Sequence, residues 1–94
     1  MSAADAAGNQ VEQWVIGACR DLGVELDGAE DDLFAAGATS LTAIRLIARV
    51  EEEFGEDALP PDDLYEHSTV GAIAATIRRN TAGAADPSRS AAAR

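Results

Sequence analysis

Asp32-Leu33-Phe34-Ala35-Ala36-Gly37-Ala38-Thr39-Ser40-Leu41 decides how the rest of the chain is read. Small and turn-forming residues run up to Ser40, and a strongly patterned segment follows at once. The spacing predicts a helix over Leu41 to Phe54, stopped by Gly55. At 100° per residue, Ala43, Leu46, Ile47, Val50 and Phe54 share one side and form the expected core face. Leu41, Ile44 and Ala48 make a second apolar strip beside Arg45, Arg49 and Glu52. A helix with two apolar sides has something besides its own core to touch. Ser40 stands at the mouth of this helix, where backbone N–H groups and the macrodipole favour a phosphate. Read from the residues alone, it is first of all an ordinary N-cap.

Outward from this stretch the chain is helical. Val11, Trp14, Val15, Ala18, Cys19 and Leu22 fall at spacings 0, 3, 4, 7, 8 and 11, one face of a helix from Gln10 to Leu22. Asn9 suits its N-cap and Gly23 its stop. Trp14 and Cys19 lie on that stripe and are expected in the core, Cys19 as an inert thiol. The connection from Gly23 to Thr39 is long for a compact domain, a length usually tied to function. Its Val24, Leu26, Leu33 and Phe34 are expected to pin it to the core. Gly37 within it is expected to supply a positive φ or a close approach. Pro60 to Tyr65 reads as a short helical turn, with Pro61 at its first position and two acids at its positive end. Thr69 caps a last helix on which Val70, Ile73, Ala74 and Ile77 repeat at 0, 3, 4 and 7. No segment alternates at period two long enough for a strand. The expected fold is all-α: a small four-helix bundle of three main helices, one short helix and a long first loop. The Ala/Gly-rich residues 1–8 and the tail 81–94 are expected to be disordered around a folded unit of residues 9–80.

Composition narrows the function. The chain has 94 residues and a net charge of −10, with 17 acidic residues against 7 basic ones, all arginine. That balance excludes nucleic acid as the expected partner, and an anionic membrane likewise. It suits proteins with basic patches. One cysteine allows no internal disulfide, and one His with one Cys gives no ordinary metal site. His67 is expected in a loop. No triad, Gly-rich phosphate loop or aromatic stacking platform can be assembled. No signal peptide and no apolar run of membrane-crossing length are evident, so the expected compartment is the cytoplasm.

The wider pattern changes the weight on Ser40. Asp32-x-Phe34-x-x-Gly37-x-x-Ser40-Leu41 resembles the attachment signature of acyl and peptidyl carrier proteins. The continuation resembles the peptidyl branch: Ser40-Leu41-x-Ala43-x-Arg45-Leu46-x-Ala48-x-Val50, then Phe54-Gly55, Leu59-Pro60, Leu64-Tyr65-Glu66 and Ser68-Thr69-Val70-x-x-Ile73-Ala74. The resemblance covers Val11 to Ile77 in order. It departs at one place: such carriers often have Asp or His before the serine, and this chain has Thr39, which removes a charge beside a phosphate.

The resemblance implies a non-catalytic carrier, modified on Ser40 by a phosphopantetheinyl transferase that uses coenzyme A. The covalent 4'-phosphopantetheine arm would hold an aminoacyl or acyl group as a thioester. Further implied partners are an adenylation or acyl-loading enzyme and a downstream condensation or tailoring enzyme. These would act in trans on a free-standing monomer. The arginines lean toward a nonribosomal peptide or hybrid pathway. Leu41, Ile44, Arg45, Ala48 and Arg49 are the expected docking surface. The neighbouring readings are a polyketide-type acyl carrier and, from another class, a helical adaptor without an arm.

Overall fold

Alanine is the strongest helix former, and the alanine-rich start of the chain is helical well ahead of the first apolar stripe. The computed structural model describes residues 3–84. Helix α1 spans Ala3–Asp21, so Asn9 lies inside it and is not its cap. Residues 3–8, expected to be disordered, thus belong to this helix, and residues 1 and 2 lie outside the described residues. At its other end the Val24 amide donates to the Cys19 carbonyl and the Gly23 amide to that of Arg20. This is a Schellman pair, which satisfies carbonyls the helix leaves open.

Helix α2 spans Ser40–Phe54, α3 Pro61–Glu66 and α4 Val70–Ala84. Ser40 is therefore the first helical residue and Thr39 the N-cap. Pro61 opens α3 as expected, and Thr69 caps α4 by accepting from the Ala72 amide at 3.2 Å. Helix α4 runs to Ala84, past the expected end at Asn80. Of the tail expected to be disordered, residues 81–84 are helical, and 85–94 lie outside the described residues.

Helix α1 lies chiefly along α4, and α2 touches all three others. The core gathers Val15 and Cys19 from α1, Leu46 and Val50 from α2, Leu64 from α3, and Val70, Ile73 and Ile77 from α4. Val24, Leu26 and Leu33 of the long loop are buried with them, and Phe34 packs against the cluster half-buried. Burying a side chain such as Leu33 contributes about 1.5–3 kcal/mol, enough to hold the loop down.

Three residues expected in the core sit at its edge instead. Trp14, Ile47 and Phe54 are only partly buried. Trp14 meets Phe54 edge to face, with ring centroids 5.0 Å apart. Trp14 also borders a groove of about 330 Å³ over Gly17 and Ala18, rimmed by Arg20, Asp21 and Arg49. Small residues in α1 leave that side unfilled, so the large rings cover a flank rather than a centre. Among the described residues no helix is long and apolar enough to cross a membrane.

Candidate functional site

The long loop is stitched to the segment before α4. Leu33 donates to the Ser68 carbonyl at 2.9 Å, Val70 to Asp31 at 3.0 Å and Gly71 to Ala29 at 2.8 Å. A Cβ on Gly71 would stand 3.2 Å from the Ala29 carbonyl oxygen, so the close approach needs glycine there. Asp32 and Thr69 form an isolated bridge at this seam.

From the seam to the serine the backbone is fully engaged. The seven amides from Leu33 to Thr39 all donate: to Ser68 O, twice to the Asp32 carboxylate, to Asp32 O, Phe34 O and Leu33 O, and to the Thr42 hydroxyl. Gly37 permits the turn by taking φ +111°. Thr39 and Thr42 close a capping box, each side chain bonded to the other's amide.

The next two amides are different. Ser40 and Leu41 donate to no protein acceptor among the described residues. The Ser40 side chain is exposed and its hydroxyl has no protein partner there either. No acidic residue occupies the first turn of α2, so nothing in that turn offsets the positive end of its dipole. A free hydroxyl beside two free amides and a positive helix end is a donor set suited to a phosphodiester. Thr39 is what caps this end, so the residue that departs from the usual carrier pattern leaves the amides open without placing a charge beside them.

The family described as phosphopantetheine attachment site matches residues 16–77. The chain belongs to this family. Such carrier domains hold covalent 4'-phosphopantetheine and are themselves non-catalytic, working with partner enzymes. The chain is similar to phosphinothricin tripeptide synthetase PhsC of Streptomyces viridochromogenes, 35% identical over 80 residues, 78% of this chain and 7% of that protein. It is similar to a linear gramicidin synthase of Brevibacillus parabrevis, 41% identical over 56 residues, 60% of this chain and 1% of that protein. It also resembles the N-(5-amino-5-carboxypentanoyl)-L-cysteinyl-D-valine synthase of Penicillium chrysogenum, 36% identical over 52 residues, 55% of this chain and 1% of that protein. The carrier domain thus spans less than a tenth of the length of these relatives. No solved structure matches it.

The other expected site residues fall on one exposed side of α2. Leu41 is 57% exposed and Ile44 58%, and Arg45, Ala48 and Arg49 are exposed too. Arg49 does not pair with Glu52 or Glu53 as the helix spacing allows. It reaches across to Asp21 of α1 at 3.2 Å, away from the strip. Tyr65, half exposed on α3, stacks on Phe34 with centroids 5.6 Å apart and 14° between planes. Sequence reasoning did not find this pair, nor the hydrogen bond from Ser68 to Asp32 at 2.8 Å. Local spacing carries no signal for contacts across 31 or 36 residues. Among the described residues no group of three metal-binding side chains gathers.

Proposed function

We propose that Ser40 is the attachment serine and that the domain carries an aminoacyl or peptidyl group in nonribosomal peptide assembly. The observation that carries this is the free Ser40 hydroxyl, set beside the open amides of Ser40 and Leu41 in a chain of this family. When bound, the arm supplies a thiol on which cargo rides as a thioester. The chain presents the serine, keeps donors for the phosphate and offers a docking face. Tethering then raises the cargo's effective concentration at a docked enzyme. In the attachment, the Ser40 oxygen bonds to phosphorus as the pyrophosphate link of coenzyme A breaks. The nucleotide leaves, and the serine proton passes to a base of the transferase.

The similarity to three peptide-forming synthetases supports the aminoacyl cargo over a polyketide one. The exposed strip of Leu41, Ile44 and Ala48, with Arg45 beside it and Arg49 at its flank, supports docking of the loading enzyme on α2. Intact mass after incubation with coenzyme A and a broad transferase tests the reading. The wild type gains the arm and Ser40→Ala does not. Wild type that stays unmodified, or Ser40→Ala that gains the arm, overturns it. Loading the modified protein from aminoacyl and malonyl donors then separates the two cargo classes.

A further inference from the structure

The Asp32 carboxylate bridges two distant parts of the chain. Its Oδ1 accepts from the Phe34 and Ala35 amides at 2.8 and 3.0 Å, which folds the turn ahead of Ser40. Its Oδ2 accepts from the Ser68 hydroxyl at 2.8 Å, 36 residues away. The Ser68 carbonyl accepts from the next amide, that of Leu33. Ser68 therefore grips the turn twice, through its side chain and its backbone. Everything between that grip and Ser40 is hydrogen-bonded, so a shift at Asp32 is handed on to the serine. Burial of Leu33 already anchors the loop against the core. The hydroxyl–carboxylate contact adds orientation.

We propose that Ser68, acting through Asp32, is a positioning residue for the modification of Ser40. This rests on Ser40 being the attachment serine. Attack on phosphorus requires the oxygen in line and close, and misplacement of about 1 Å can cost on the order of a hundredfold. Loss of one hydrogen bond at the far end of the turn produces a smaller drift. Ser68→Ala is therefore expected to lower kcat for arm transfer on the order of tenfold, with KM for the carrier little changed. The docking strip on α2 is untouched by this change, which is why KM holds.

Transferase kinetics with coenzyme A, at varied carrier concentration and well below the melting temperature, test this. Ser68→Thr keeps the hydroxyl and restores kcat. Asp32→Ala removes both halves of the bridge, lowers kcat at least as far, and makes a further Ser68→Ala change silent. Amide hydrogen exchange gives a readout independent of the transferase. In Ser68→Ala, exchange quickens at Ala36 to Thr39 while Ile73 and Ile77 keep their protection. A wild-type kcat in Ser68→Ala overturns the proposal. So does a loss confined to KM, a loss that Ser68→Thr fails to restore, or exchange that quickens throughout. Failure of Ser40 as attachment site shows separately, as wild type that never gains the arm.

Discussion

Asp32 holds its carboxyl below the usual carboxylate range because the Ala35 amide and then the Ser68 hydroxyl bond to its charged form. The Phe34 amide adds to this, and partial desolvation opposes it. A folded pKa lowered in this way contributes stability above the unfolded value, about 3.9, and loses it as pH falls through the folded one. Asp32→Asn should therefore melt below wild type at about pH 6, and the gap should close toward about pH 2.5. Melting curves across that range check it; a gap that widens in acid contradicts the assignment. Gly37 makes a cleaner backbone test. A Cβ there meets nothing within 4 Å, so Gly37→Ala isolates the cost of φ +111°. That cost is about 1–2 kcal/mol, read as a fall of several degrees in Tm. The glycine's role was legible in the sequence because loop position and residue type both speak locally. Ser68 was not, because its partner is fixed only once the loop has crossed the bundle.

At the scale of the element, α2 separates stability from recognition. Leu46 is fully buried, and Leu46→Ala should cost about 2–5 kcal/mol in chemical denaturation. Ile44→Glu, on the exposed side, should change stability by less than about 0.5 kcal/mol yet slow loading by a cognate enzyme. Unchanged loading would move the docking surface toward Phe34 and Tyr65. Arg45→Glu should slow loading more weakly, with a salt dependence that Ile44→Glu lacks. The two sides of α2 could be read from its period of 3.6, and so could Pro61 and Thr69 at the starts of α3 and α4. The start of α2 was misread by one residue, because Thr39 and Ser40 are both capping types and only the mutual bonds of Thr39 and Thr42 decide between them. The length of α1 was misread because an alanine run carries no apolar stripe to mark it. Trp14 and Phe54 lie on the predicted faces but at their rims, since periodicity gives direction and not depth.

For the whole molecule, a charge of −10 should draw basic partner surfaces and weaken with salt mainly through association rate. The bundle also seals its one cysteine. Cys19 is fully buried in α1, and desolvation pushes its thiol up to about 11. At pH 8 almost none of it is thiolate, the form that reacts. The native protein before arm attachment should therefore give no signal with a thiol reagent, and one equivalent only after unfolding. A prompt reaction in the native state would mean that α1 opens readily. The sequence has no lysine either, so no side-chain ammonium is present for amine-reactive dyes. The carrier is thus its own blank: fluorescence introduced through a thiol-selective probe reports the arm alone, and its appearance or loss follows charging and discharge without any engineered substitution.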